Sequence, residues 1–410
     1  MKKLFALLLS LAMVLALVAC GQKDPTPDTP DTPDDPQTKV EYKVAMITDY
    51  GDITDQSFNQ TTYEACKAFA EDNSIEFSYF KPAGDNTADR VAMIEKAVDE
   101  GFNVIVMPGY AFGGAIVEAA PEFPDVKFIA LDVAAGDLLE TAVAKAGEAY
   151  DYTPENWDLN KYVDMSNVYC AVYQEELCGY MAGYAAVKLG YKNLGFLGGM
   201  SVPAVVRYGY GFVQGVDAAA ADLGLTDVKL NYIYGGQFFG DADITAVMDT
   251  WYQGGTEVVF ACGGGIYTSA VDAAKKVDAK VIGVDVDQAG VIANYAGVDG
   301  MTVTSAMKGL YPATYDTLTD VIVNGNWEKY VGKIETLGLV SGTDPEANYV
   351  QIPMGDGTQW SDSFTQDDYK AMVKDMFDGK ITVSNNTSSD VSAADFATVI
   401  TVDDQGSIKG

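Results

Sequence analysis

Residues 44–80 read VAMITDYGDITDQSFNQTTYEACKAFAEDNSIEFSYF. The first four are an apolar, strand-length run, and 57–73 place apolar residues at helical spacing. Residues 75–80 alternate Ile75, Phe77 and Tyr79 with Glu76 and Ser78, the period of a strand with one wet face. Strand, helix and strand in that order are the βαβ unit of a parallel sheet. Working outward, a helix over 89–100 and strands over 104–107 and 128–131 continue the alternation. At Asn167 the pattern starts afresh with a strand over 168–172, a long Gly/Ala-rich helix and a strand over 194–197. Helices over 209–223, 242–253 and 268–276 and strands over 229–234, 258–261 and 281–284 complete the second set. Most of these strands are continuous apolar runs, so helices should cover both sheet faces, with 75–80 as an edge.

The N-terminus is of another kind. Lys2 and Lys3 precede an apolar run over 4–16, and Leu17-Val18-Ala19-Cys20 closes it. Charge followed by a short apolar core is the order of a secretory signal, and the run is shorter than the roughly 18–20 residues that span a bilayer. Small residues before a cysteine fit a lipobox, giving a signal peptide over 1–19 and a lipid on Cys20. Residues 21–38, GQKDPTPDTPDTPDDPQT, fix φ at the prolines and repel at the aspartates, so 20–39 should form an extended lipidated tether. A folded domain is expected over 40–410.

Composition removes several functions. Fifty-nine acidic residues against 26 basic leave a charge of −33, which disfavours nucleic acid and anionic lipid surfaces, both of which need Lys and Arg clusters. Membrane contact should then come through the lipid anchor only. There is no histidine, so His-based triads and His-ligated metals are out, and Asp49, Asp285 and Asp287 are the leading acids for any enzyme reading. Asp285 and Asp287 offer too few oxygens for a hard-cation site, so neither metal nor cofactor is expected. Cys66, Cys170, Cys178 and Cys262 match no dense disulfide scaffold; they could pair outside the cytoplasm, but their apolar neighbours favour buried thiols.

The residues that could hold a ligand follow strands, where open α/β sheets bind. Asp49 comes just after the first strand, Phe58 offers a flat face, and Asn59 both donates and accepts. Asp55 and Ser57 read instead as helix caps. Tyr208 opens a helix in the second set much as Phe58 does in the first. Asp285 ends a strand where a carboxylate suits a diol, Gly263 lies in a turn that admits close backbone approach, and Lys308 ends the strand over 302–308.

The segments TDYGDITDQSFNQTTYEACKAF, NVYCAVYQEELCGYMAGYAA, LGFLGGMSVPAVVRYGYGFVQGV, VIGVDVDQ and VTSAMKG resemble the basic membrane protein family, purine-nucleoside-receptor-like substrate-binding lipoproteins of ABC transporters. DDYKAMVKDMFDGKITVS looks like that family's closing helix and strand. The resemblance implies a type I periplasmic-binding-protein fold, with two Rossmann-like parallel-sheet lobes joined by three crossovers. Lobe 1 would take about 40–166 plus about 285–310, and lobe 2 about 167–284 plus part of about 311–410. It implies a non-catalytic, extracytoplasmic receptor, lipid-anchored to the cell membrane, that hands a nucleoside to a permease and ATPase. Riboflavin or another heterocycle, or a surface sensor or adhesin without transport, are the alternatives. Phe58 and Tyr208 would sandwich the base, Asp49 and Asn59 would read its edge, and Asp285, Lys308 and a glycine near Gly263 would hold the ribose. Tyr208 stands where the family usually has phenylalanine.

The anchor is directly testable. Cys20→Ala should abolish labelling by radioactive palmitate and release the protein from the membrane fraction. Persistent labelling would remove the lipoprotein reading.

Overall fold

The computed structural model describes residues 41–409. The expected signal peptide, Cys20 and the whole of the expected tether lie outside the described residues. Thirteen strands follow one another within these limits: β1 Lys43–Ile47, β2 Glu76–Phe80, β3 Val104–Pro108, β4 Lys127–Leu131, β5 Val168–Tyr173, β6 Asn193–Gly198, β7 Lys229–Tyr234, β8 Val258–Cys262, β9 Lys280–Asp285, β10 Thr302–Lys308, β11 Ile334–Leu337, β12 Val350–Gln351 and β13 Thr401–Ser407. They form two sheets, in the orders β11-β5-β4-β3-β1-β2 and β12-β10-β9-β8-β6-β7-β13. Every pairing is parallel except that of β12 with β10. Stripped of the added strands, the sheets read 2-1-3-4-5 and 7-6-8-9-10, the same doubly wound order twice. The apolar runs of β3 and β8 are buried at every residue, as two covered faces require. β2 is an edge strand, as its alternation predicts.

The lobe boundaries need correction. β5 pairs with β4 in the first sheet, although 167 was expected to open the second lobe. β10 pairs with β9 in the second sheet, although 285–310 was assigned to the first. Periodicity identifies a buried strand but not its neighbour, which is settled by contacts distant in sequence. The closing helix is present as Gln366–Phe377, but 381–384 is irregular, and the last strand is β13, alongside β7. The helix expected over 209–223 begins earlier, at Pro203, where a proline in the first turn sacrifices no helical hydrogen bond.

The chain crosses between sheets after β5, after β10 and after β11. The three crossings are bonded to one another. Gln174 N–H donates to Leu337 O at 3.0 Å, Tyr349 N–H to Gly338 O at 3.0 Å, and Gly309 N–H to Tyr349 O at 2.7 Å. A Cβ on Gly338 would meet the Gln174 side chain, which would have to turn aside. These bonded crossings are the connection between the two lobes.

Behind it the helices Glu175–Lys188 and Pro203–Leu223 pack at very short range. A Cβ on Gly211 or Gly215 would lie 2.1 Å from the carbonyl oxygens of Glu176 and Tyr180, and one on Gly179 or Gly183 would lie 2.3 Å from those of Tyr208 and Phe212. Cys66, Cys170, Cys178 and Cys262 are buried free thiols. Among the described residues no helix is long and apolar enough to cross a membrane.

The glycine seam predicts a cost for any side chain. Gly211→Ala should lower stability by about 1–3 kcal/mol through forced separation of the two helices, read as a lower melting temperature. An unchanged melting temperature would mean the pair can move apart freely.

Candidate ligand-binding site

The carboxyl edges of the two doubly wound sheets enclose a cavity of about 410 Å³, within the usual size of a small-molecule site. Asp49, Phe58, Asn59, Tyr208, Asp285 and Lys308 all line it. Gly263 does not; its neighbours Cys262, Gly264 and Gly265 do.

On the first lobe, the chain turns after β1 so that the Asp49 carboxylate accepts the N–H groups of Tyr50 (2.6 Å) and Gly51 (2.8 Å). Burial raises its pKa, against these hydrogen bonds and the nearby Arg90. Arg90, itself buried, fixes the turn by donating to Asp49 O at 3.2 Å. Gly109 (φ 125°) lets the next loop come close, because a Cβ there would sit 3.0 Å from the Asp49 carboxylate. Asp55 caps the helix Phe58–Asn73 as expected, accepting the N–H groups of Ser57, Asn59 and Gln60. Ser57 does not cap with its side chain. Its hydroxyl reaches across the cleft and donates to Asp285 Oδ2 at 2.5 Å. Gln288 Nε2, from the second lobe, donates to Gln56 O at 3.2 Å, so the lobes are joined at this helix start.

The centre of the site is Lys308. Its ammonium lies 2.5 Å from Asp132 Oδ2, 3.5 Å from Glu175 Oε1 and 3.7 Å from Asp285 Oδ1. It also lies 4.7, 5.3 and 5.6 Å from the ring centroids of Phe58, Tyr173 and Tyr208. Burial alone would favour the neutral amine, but the pull of Asp132, Asp285 and Glu175 outweighs it and raises the pKa, keeping the charge. Asp132 (φ 59°) and Asp285 (φ 64°) both adopt the left-handed conformation at matching strand ends, β4 and β9. Arg207 Nε bonds Glu175 Oε2 at 2.6 Å and extends the cluster.

Tyr208 is buried edge-on against Phe260, with its hydroxyl 3.3 Å from Asp285 Oδ1. The second lobe also brings Phe238 and the 56% exposed Phe239 to the cavity lining. Two oxygens on lining residues, Asn59 Oδ1 and Asp132 Oδ1, are buried with no hydrogen-bond partner. The sequence reading missed Asp132, Asp137, Glu175, Arg207, Phe238 and Phe239. Asp132 carried a usable signal, since it follows a buried strand just as Asp49 does. Glu175 and Arg207 carried none, because one merely opens a helix and the other lies inside one.

Comparison with known proteins identifies the family and the fold. Residues 42–343 match the family model described as Bmp, ABC transporter substrate-binding protein PnrA-like. The chain is 25% identical over 392 residues to the ABC transporter nucleoside-binding protein BmpA of Lactococcus lactis, covering 92% of this chain and 96% of that one. It is 26% identical over 322 residues to basic membrane protein B of Borreliella burgdorferi, covering 76% and 83%. Among solved structures, an ABC transporter solute-binding protein of Aeropyrum pernix shares the fold with a TM-score of 0.59 at 20% identity, covering 84% of this chain and 88% of that one.

The acids lining the cavity predict a pH dependence. Burial pushes Asp137 up to about 7, against a hydrogen bond from Ala134 N–H. Between the ordinary value near 3.8 and about 7 the folded state holds a proton that the unfolded chain has released. Stability of the ligand-free protein should therefore fall as pH rises through that window. Asp137→Asn should flatten this slope and add roughly 1–2 kcal/mol at pH 8, measured by denaturant titration at several pH values. Parallel curves for the two proteins would place the titration elsewhere.

Proposed function

Because the chain belongs to the Bmp family of PnrA-like ABC transporter substrate-binding proteins, we propose that it captures an unphosphorylated ribonucleoside, a purine nucleoside in the first instance, and presents it to a permease and ATPase. The lipid on Cys20 would hold it at the outer face of the membrane while it does so. The observation that carries this reading is the meeting of Asp132, Asp285 and Lys308 beside the Phe58 ring. Two carboxylates held apart by one ammonium accept from vicinal hydroxyls while the cation balances their charge, which is what a ribose diol asks of a site. Asp132 Oδ1, buried without a partner, is suited to one such donor.

The base belongs at the other side, with Asp49 and Asn59, where the unpartnered Asn59 Oδ1 accepts from a ring or exocyclic N–H. Phe58 supplies one flat face. For the second face the exposed ring of Phe239, with Phe238, is better placed than Tyr208, whose hydroxyl is engaged with Asp285. The charge balance selects against phosphate: Asp49, Asp52, Asp55, Asp132, Asp137 and Asp285 line the cavity against Lys81, Arg207 and Lys308. A nucleotide would bring further negative charge into a site already short of cations. The lobes close over the ligand about the three bonded crossovers, and the closed form is the one the permease receives.

Asp285→Ala separates a nucleoside from a sugar-free heterocycle. Ribonucleosides should lose at least about tenfold in affinity, the counterpart of one charge-assisted hydrogen bond, while free bases bind both proteins alike. Calorimetry on adenosine, guanosine, their bases and their 5′-monophosphates measures this, and the monophosphates should be the weakest ligands of wild type. Equal losses for nucleoside and base would make Asp285 a lobe-closing residue alone.

A further inference from the structure

The family match ends at residue 343, yet the chain continues around the second lobe and adds β13 beside β7. The buried Asp217 carboxylate accepts the N–H groups of Thr398, Val399 and Ile400 and sets the strand's entry. Trp251 Nε1 donates to Gln405 Oε1 at 3.2 Å, and Ile408 N–H donates to Tyr234 O at 2.8 Å, where β7 ends. The next residues of β7's own chain are the loop 235–241, which carries Phe238 and Phe239 into the cavity.

Lys409 closes on this loop from outside. Its ammonium bonds Gln237 Oε1 at 2.7 Å and makes a close ion pair with Asp241 Oδ2. Gln237 passes the contact on, its Nε2 donating to Phe239 O at 2.9 Å and to Asp241 Oδ2 at 3.0 Å. Asp241 in turn caps the helix Ala242–Gln253 through the N–H groups of Asp243 and Ile244. At the start of the loop Gly236 (φ 80°) runs so near that a Cβ would be 2.7 Å from Lys409 O. Lys409 thus touches both ends of the loop, alongside bonds from Gly235 N–H to Gly198 O at 2.7 Å, from Gly236 N–H to Gly199 O at 2.9 Å and from Asp241 N–H to Ser269 Oγ at 3.0 Å. The loop's inner side meets the glycine turn in a short parallel bridge between Phe239 and Gly265, with Gly265 N–H donating to Phe238 O at 2.9 Å.

We propose that Lys409 is a positioning residue for ligand binding, clamping the 235–241 loop so that Phe239 stands fixed at the cavity wall. Lys409 does not line the cavity, so it acts through the loop. An aromatic side chain this exposed has little packing to hold it, and without the clamp it would spend its stacking contribution on being ordered by the ligand. The effect on nucleosides rests on the function proposed above; the effect on the loop does not.

The test has two independent readouts. In ligand-free protein, Lys409→Ala should speed hydrogen exchange across 235–241 while β6 and β8 exchange as in wild type. In calorimetry with adenosine and guanosine, Lys409→Ala should cost about three- to tenfold in affinity, the scale of a part-exposed ion pair with its hydrogen bonds. Lys409→Arg should restore most of it. In a Phe239→Ala background, Lys409→Ala should cost nothing further, because the residue it positions is gone. Unchanged exchange in the loop would overturn the clamp, and an undiminished loss in the Phe239→Ala background would overturn its route to the ligand. Should wild type bind neither nucleoside, the proposed function fails while the exchange experiment still decides the clamp.

Discussion

A lysine ammonium buried between two protein lobes is tolerable only when carboxylates meet it, and Lys308 takes them from three places. Asp132 follows β4 in one sheet, Asp285 ends β9 in the other, and Glu175 opens the helix that links them. Each of these groups alone would be costly to bury, and their mutual attraction in a low-dielectric cleft offsets that cost. The requirement is geometric as well as electrostatic. The carboxyl edges of both sheets must face each other at hydrogen-bonding distance, and two aspartates must accept a left-handed backbone to aim at one nitrogen. A cluster that bridges the lobes also ties them together, since Lys308 from the second sheet bonds Asp132 from the first.

The repeated doubly wound order explains why such a meeting is possible. Matching strands in the two sheets end in matching positions, so β4 and β9 each deliver an aspartate, and the helices after β1 and β6 each deliver an aromatic. The aromatics have diverged in use. Phe58 opens its helix and faces the cavity, whereas Tyr208 lies in the second turn of a helix begun at Pro203 and is sealed against Phe260. The second lobe also contributes Phe238 and Phe239 to the lining, from the loop after β7. Behind the site the glycine seam holds two long helices against each other, and the three hydrogen-bonded crossings join the lobes.

Most of the architecture could be read from the chain. Continuous apolar runs such as those of β3 and β8 declare a sheet covered on both faces, and the alternation of β2 declares an edge, because side-chain period reports burial directly. The site was legible where a strand ended in a chemically informative residue, as at Asp49, Asp285 and Lys308. Glu175, inside the motif-bearing segment QEELCGY, gave no sign of its role, since an acid in the first turn of a helix ordinarily serves the helix dipole.

By itself, then, the sequence determined the α/β class, the repeated βα units and the residues at strand ends, because each depends on local period or local composition. Only the tertiary structure decided that β5 stays with the first sheet and β10 with the second, that Ser57 abandons capping to bond Asp285, and that Gly263 yields its place to its neighbours. Those outcomes are pairings between groups up to 228 positions apart, as for Ser57 and Asp285. A strand's own residues fix its pleat and burial, but the partner it bonds and the charge it meets are set by whichever other segment the fold brings alongside.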